Sequence, residues 1–197
     1  MNSPDLLETL SARFGVVENI SYHQKRVNRV LKYFNSTMSI DLEKLLNPPQ
    51  KQIQTRCRLL YNNLEFSISY HSYTPKLFRK FKIVSINEDF DYKFKYAKRD
   101  FFESLFKKYP EYDEFILTQN NIVKECSIAN IAFYNKELNH YVTPSTVLLE
   151  GTTRERLLNE SKIITKEIKS QDILGKTEIV LLNAMLGFFK INNVIIE

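Results

Sequence analysis

Glycine occurs only 4 times in the 197 residues, at positions 15, 151, 175 and 187, and that scarcity narrows the folds open to the chain. Loops that wrap a nucleotide phosphate need several glycines in a short window. There is no G-x-G-x-x-G and no P-loop lysine motif, which excludes a Rossmann or P-loop nucleotide site. The glycines and the 6 prolines act instead as punctuation. Turns that need a positive φ fall to asparagine, which tolerates the left-handed region, and Asn-Asn pairs are the places to look for them.

Between these breaks the hydrophobic pattern alternates between two periods. Residues 6–13 read as a strand turned by Gly15. Residues 21–34 read as a helix, with Ser21 and Gln24 as a capping box and Val27, Val30, Leu31 and Phe34 on one buried face. A short helix at 41–46 ends at Pro48-Pro49. Strands at 53–61 and 64–70 flank Asn62-Asn63, a two-residue hairpin signal. A loose stretch at 73–80 sets the expected boundary between a smaller domain, 1–75, and a larger one, 76–197. The second half reads as strands at 81–86, 113–118, 122–124 and 130–134. Helices are expected at 97–108 and 153–160, and further strands at 162–168, 178–183 and 194–196. This predicts an α+β chain with segregated sheets, not an alternating βαβ series.

Composition sets the class of partner. Hydrophobic residues make up 43% and charged residues 26%, as in an ordinary globular protein. The net charge of +5 is spread among acids rather than gathered in a stripe, so it suits a small anionic ligand better than nucleic acid. No apolar run reaches the ~18 residues of a membrane span and no export signal is visible, which predicts a cytoplasmic protein without a membrane partner. Cys57 and Cys126 follow no metal or redox spacing and read as small core residues. His23, His71 and His140 have no second ligand at metal spacing, so no metal is expected.

Four segments could carry chemistry, and each has an ordinary structural alternative. Gly151-Thr152-Thr153-Arg154-Glu155 opens a helix, with Thr152 and Glu155 as a capping box; the start is either an anion site or a plain capped end. Tyr92-Lys93-Phe94-Lys95-Tyr96 alternates aromatic and cationic side chains, as an edge strand would, unless one lysine points into a site as a nucleophile. Glu125 lies in an uncharged run and is either a buried acid that needs a partner or an exposed turn acid. Arg26, one turn after His23, is either a phosphate clamp or a solvated helix residue.

The order of these segments resembles the class IV aminotransferase family, the fold-type IV pyridoxal-phosphate enzymes, and most of all its short bacterial members related to aminodeoxychorismate lyase. The matching segments are Glu8-Thr9-Leu10 with Gly15, His23-Gln24-Lys25-Arg26, Lys95-Tyr96-Ala97-Lys98-Arg99, Asp113-Glu114, and Glu125-Cys126-Ser127 with Ala129-Asn130. Thr143-Pro144, Gly151-Thr152-Thr153-Arg154 and Leu182-Asn183-Ala184 follow in the same order.

The resemblance implies two α/β subdomains with pyridoxal 5'-phosphate held in the cleft between them. It implies that Lys95 bonds the cofactor and that Glu125 meets its pyridine nitrogen. Arg26, Thr152, Thr153, Asn183 and Ala184 would take its phosphate, and Thr9 would assist proton transfer. It further implies a homodimer, and the aromatic surplus of 11 Tyr and 14 Phe, with Phe101, Phe102, Phe106 and Phe188-Phe189 on no single face, agrees with a subunit contact. Arg58, expected to share a strand face with Arg56, is a speculative anchor for a substrate carboxylate. Relatives carry a further stretch before the first strand, with a D-x-G segment, and its absence here bears on substrate choice more than on cofactor binding.

The expected reaction is the lyase step of folate precursor synthesis, 4-amino-4-deoxychorismate to 4-aminobenzoate and pyruvate. The alternatives are a class IV aminotransferase of branched-chain or D-amino acid type, and a degenerate cofactor-binding relative without turnover.

Overall fold

A computed structural model of the chain describes residues 3–197. The described chain divides into two compact units, one made of residues up to Pro75 together with Phe94–Lys98, the other of Lys76–Lys93 and Arg99–Glu197.

The first unit is one antiparallel sheet covered by a helix. Its elements are β1 (Leu6–Arg13), β2 (Val16–Val17), α1 (Ile20–Tyr33), α2 (Leu42–Leu45), β3 (Thr55–Tyr61) and β4 (Phe66–Ser72), with sheet order β2-β1-β3-β4. Side chains alternate across a strand, so Leu6, Leu10 and Ala12 of β1 join Cys57, Leu59 and Tyr61 of β3 on one face. Val27, Val30 and Leu31 of α1 close that core. Each fully buried leucine contributes about 1.5–3 kcal/mol.

Two local expectations fail in this unit. The N-cap of α1 is Asn19, in the left-handed region at φ 53, with no side-chain cap. Gln24 is engaged elsewhere: its Nε2 donates to the Ile40 carbonyl at 2.7 Å and its Oε1 accepts the Leu42 N–H at 2.8 Å, tying α1 to the start of α2. The β3–β4 loop is four residues long, because Tyr61 pairs with Phe66 and the Asn62 N–H donates to the Glu65 carbonyl.

The second unit holds two sheets. Its elements are β5 (Lys80–Ser85), α3 (Asp100–Lys108), β6 (Glu114–Gln119), β7 (Ile122–Cys126), β8 (Asn130–Asn135), β9 (His140–Pro144), α4 (Thr152–Asn159), β10 (Ile164–Lys166), β11 (Glu178–Asn183), β12 (Gly187–Asn192) and β13 (Ile195–Ile196). The sheet orders are β13-β5-β6-β7 and β10-β9-β8-β11-β12. Phe81, Ile116 and Val123 from the first pack with Ile131, Phe133, Ile179 and Leu181 from the second. The far face of β8 and β11, with Ala132, Val180 and Leu182, packs under Leu157 of α4 and Ile163. Strands buried on both faces read as unbroken apolar runs, and 179–182 is one.

Asparagine does take the left-handed turns. Among the described residues, six of the eight non-glycine residues at positive φ are asparagines, and a two-residue hairpin lies at Asn120-Asn121 (φ 52 and 61), where Gln119 pairs with Ile122. The arrangement is α+β, as the pattern predicts. Residues 92–96 do not form a strand. Tyr92 is buried in the second unit, and only a single bridge joins Tyr96 to Leu6. The expected 76–197 domain is also interrupted: the Lys95 carbonyl accepts the Leu7 N–H at 2.8 Å and the Ala97 N–H donates to the Asp5 carbonyl, which fastens Phe94–Lys98 to the first unit. Helix α3 accordingly starts late, at Asp100.

The aromatic surplus has an internal explanation. Phe101, Phe102 and Phe106 meet Phe90, Tyr92 and Phe115 at ring separations of 4.6, 5.0 and 4.8 Å. Phe188 packs on Tyr141 at 4.9 Å. Phe188 nevertheless stays partly exposed. No helix among the described residues is long and apolar enough to cross a membrane.

Candidate active site

In the first unit the alternation of β1 places an acid among leucines. Glu8 shares the buried face with Leu6 and Leu10 and is 1% exposed. A carboxylate there needs partners. Helix α1 supplies two, one turn apart on its buried side. Arg26 donates through Nε to Glu8 Oε2 at 3.0 Å and through Nη2 to Oε1 at 2.6 Å; His23 Nδ1 lies 2.5 Å from Oε1. Burial raises the Glu8 carboxyl, but Arg26 and His23 outweigh it and bring it down to about 2. Arg26 is therefore neither a solvated helix residue nor an unengaged phosphate clamp: two of its nitrogens hold Glu8. Lys95 is half-buried and held at its carbonyl beside Leu7, while Phe94 and Tyr96 pack on the same core.

The opposite face of this sheet is polar. Thr9 pairs with Arg58 and Ser11 with Arg56 across β1 and β3, so the two arginines do share a face, and Thr9 shares it with them.

In the second unit four chain ends converge: the end of β7, the start of β8, the end of β11 and the start of α4. A β-bulge explains why Glu125 turns off the core face of β7 and toward these ends. Thr118 pairs with Val123 and Leu117 with Glu125, so Lys124 is an extra residue on β7. The bulge reverses the phase of the strand. Without it Glu125 would lie on the same face as Val123; with it Cys126 joins Val123 in the core. Glu125 is buried, and its Oε2 accepts three N–H donors: Leu149 at 2.9 Å, Leu148 at 3.0 Å and the Asn130 side chain at 3.4 Å. It is no exposed turn acid.

Asn130 backbone pairs with Leu182, which sets the β8 start next to Asn183. The Asn183 side chain folds its own turn, accepting the N–H groups of Met185 and Leu186 and donating to the Ile128 carbonyl at 3.2 Å. Ala184 lies within that turn. Arg99 Nη2 donates to the Ser127 carbonyl at 2.6 Å and closes the β7–β8 turn from outside.

Helix α4 begins one residue earlier than expected. Gly151 is its N-cap with no side-chain cap, so Thr152 and Glu155 form no capping box. Thr152, Thr153 and Arg154 fill its first turn and are all buried. A helix start leaves its first N–H groups pointing outward with a positive dipole end. Arg154 Nη2 donates to the Pro144 carbonyl at 2.8 Å, while its Nε is buried without a partner.

Glu114 is a third buried acid, whose Oε1 accepts the N–H groups of Phe115 and Ser127; burial pushes its carboxyl upward. Cys57 and Cys126 are free and buried, and burial raises both thiols, Cys57 to about 11. Among the described residues no three His, Cys, Asp or Glu side chains gather as a metal ion would require.

Glu8, His23, Asn130 and Arg154 are the polar residues to which the sequence reading assigned no site role. The signal for Glu8 was present: it is an acid in phase with Leu6, Leu10 and Ala12, and His23 and Arg26 flank the apolar stripe of α1.

Residues 5–194 match the family described as amino-transferase class IV. An uncharacterized protein from Haemophilus influenzae (KW20 / Rd) is 38% identical over 188 residues, covering 92% of this chain and 98% of its own length. A crystal structure of a candidate 4-amino-4-deoxychorismate lyase from Haemophilus somnus 129PT is 35% identical and superposes with a TM-score of 0.82, over 93% of this chain and 97% of that one. A hypothetical aminotransferase from Mycobacterium tuberculosis in its PLP-bound form, at 12% identity, superposes with a TM-score of 0.73 over 98% of this chain and 81% of that one.

Proposed function

The chain belongs to the class IV aminotransferase family, and from that premise we propose that it is a pyridoxal 5'-phosphate enzyme converting 4-amino-4-deoxychorismate to 4-aminobenzoate and pyruvate. The observation that carries the cofactor part is the hold on Glu125: a buried carboxyl whose Oε2 is fixed by neutral N–H donors suits a protonated ring nitrogen as its partner. The 35% identity to the Haemophilus somnus protein supports the substrate. Each unit brings donors that suit the group: the first a cation at Arg26, already engaged with Glu8, and a lysine clamped at its backbone; the second a buried acid and a helix start suited to a dianionic phosphate.

In this reading Lys95 Nζ is the covalent attachment point. Glu125 accepts the pyridine N–H. The first N–H groups of α4 at Thr152 and Thr153, the turn at Asn183 and Ala184, and Arg26 take the phosphate. Pyridoxal phosphate supplies the electron sink for the pair left behind when a C–H bond beside an amine breaks. Lys95, freed when the substrate's amine takes its place, would take that proton from the amine-bearing carbon as general base, and Thr9 would assist its transfer. Pyruvate leaves by elimination, and aromatisation of the ring drives the reaction forward. Arg58, paired with Thr9 across the strands, takes a substrate carboxylate.

The family's own description favours a second reading, transfer of an amino group between an amino acid and a keto acid by the same residues. A homodimer is also part of the proposal, resting on the family resemblance, since the aromatic rings find partners within the chain; sedimentation tests it.

Borohydride reduction of the purified protein followed by peptide mapping is expected to label Lys95; a label on Lys93 or Lys98 would sink the assignment. Incubation with aminodeoxychorismate should yield 4-aminobenzoate and pyruvate. Turnover only with amino acids and 2-oxoglutarate would establish the second reading.

A further inference from the structure

Asn130 stands between the two ends of the second unit's site. Its side chain is 4% exposed, and its Nδ2 is shared between Glu125 Oε2 at 3.4 Å and the Leu149 carbonyl at 3.1 Å. Leu149 in turn donates its N–H to the same Glu125 oxygen at 2.9 Å. One side-chain amide thus closes a loop of hydrogen bonds joining β7 to the segment that leads into α4. On its other side the amide meets the helix cap itself. A Cβ added at Gly151 would lie 2.0 Å from Asn130 Oδ1, closer than atoms approach, and 3.2 Å from its Cγ, a tight contact. Gly151 has an ordinary backbone at φ -75, so its lack of a side chain serves contact with Asn130 and not an unusual turn. Beyond those two atoms the nearest is Arg154 Cβ at 3.9 Å, an ordinary contact.

We infer that Asn130 is a positioning residue, a strut that sets Glu125 and the first turn of α4 at the separation one cofactor must span. The inference rests on the pyridoxal phosphate reading, in which Glu125 meets the ring nitrogen and the α4 start meets the phosphate. A polar side chain that locks two binding groups together matters most to a ligand that uses both. A ligand that uses one of them leaves the other free to settle.

The test compares pyridoxal 5'-phosphate with two one-ended probes, pyridoxal and inorganic phosphate, by equilibrium dialysis against the wild type and Asn130→Ala. Freeing the two binding groups from each other predicts that the variant binds pyridoxal phosphate about tenfold or more weakly. Pyridoxal and inorganic phosphate should each change by less than about twofold, because neither bridges the strut. An equal loss for all three probes, or an unchanged pyridoxal phosphate affinity, would overturn the strut. A wild type that takes up no pyridoxal phosphate would bring down the cofactor reading and the strut with it, a distinct result.

A second measurement needs no ligand. Gly151→Ala should lower the thermal midpoint of the wild type and leave that of Asn130→Ala unchanged, because truncation removes the atoms the new Cβ would strike. Additive losses would contradict the contact. If Asn130→Ala does not fold, Asn130→Ser, too short to reach Glu125, should give the same split between probes, and an even loss would refute it.

Discussion

Two buried carboxylates, one in each unit, solve the same problem in opposite ways. Glu8 is neutralised by side-chain cations, with Arg26 on both oxygens and His23 on one. Glu125 is held at Oε2 by two main-chain amides and the amide of Asn130. A cationic partner cancels the charge of an acid; neutral donors stabilise it and leave it a charge. The first arrangement fixes a helix on a sheet. The second ties the end of a strand to the segment that leads into α4. The sequence shows two isolated glutamates, and only their partners distinguish structure from chemistry.

The largest expected effect breaks the first arrangement. Glu8→Gln leaves Arg26 buried with a neutral partner and should cost about 3–5 kcal/mol of stability, read from urea unfolding. Glu125→Gln keeps an oxygen for the amides, so it should cost less, about 1.5–3 kcal/mol, the range for hydrogen bonds to a charged group. Its effect on turnover should exceed its effect on cofactor binding. Equal stability losses would mean the two acids are built for one purpose.

The comparison sharpens further with pH. The Glu8 carboxyl sits at about 2 when folded against an ordinary 4.5, so its contribution is full above 4.5 and is lost as pH falls from there toward 2. Glu114 runs the other way. Burial raises its carboxyl, so its charged form opposes folding, and the protein gains stability as pH falls through that raised value toward 4.5. Unfolding free energy measured against pH should therefore rise slightly on the way down and then drop. Glu8→Gln should remove most of the drop, and Glu114→Gln the rise. A profile flat between pH 4.5 and 2 would contradict the Glu8 pair.

The smallest effect concerns the thiols. Cys57 and Cys126 are buried with raised pKa values, so neither should react with a thiol reagent in the folded protein, and both should react on unfolding. Fast labelling of Cys126 in the native state would mean that the Glu125 strand opens locally.

What was legible in the sequence follows physical lines. Strands 6–13 and 178–183 could be read because their apolar spacing is dense and their ends are marked by Gly15 and by Asn183. β9 could not: residues 140–144 carry a histidine, a threonine and a proline, and they become a strand only by pairing with β8 and β10. The hairpin signal was right in kind and wrong in place, at Asn120-Asn121 rather than Asn62-Asn63, because only the strand register decides how many residues a loop contains. The order of Lys95, Glu125 and Gly151-Thr152-Thr153 was visible, whereas the turn of Glu125 away from the Val123 face was not. A bulge is a relation between two strands and leaves no mark in the pattern of one. The close approach of Asn130 to Gly151 joins residues 21 positions apart (151 minus 130) and appears only when the chain has folded.

The return of Phe94–Lys98 to the first unit bears on how this protein is made. As the chain leaves the ribosome, β1 emerges early, but the Asp5 carbonyl and the Leu7 N–H wait for Ala97 and Lys95. Phe94 and Tyr96 are missing from the first core until then. Domains fold in the order they are synthesised, N-terminal first. Here β5, a strand of the second unit, has already been made when the first unit receives its last segment. A fragment cut at Pro75 would contain every strand and helix of the first unit and still lack its closing strap. Lys95 thus arrives with the segment that completes the first unit.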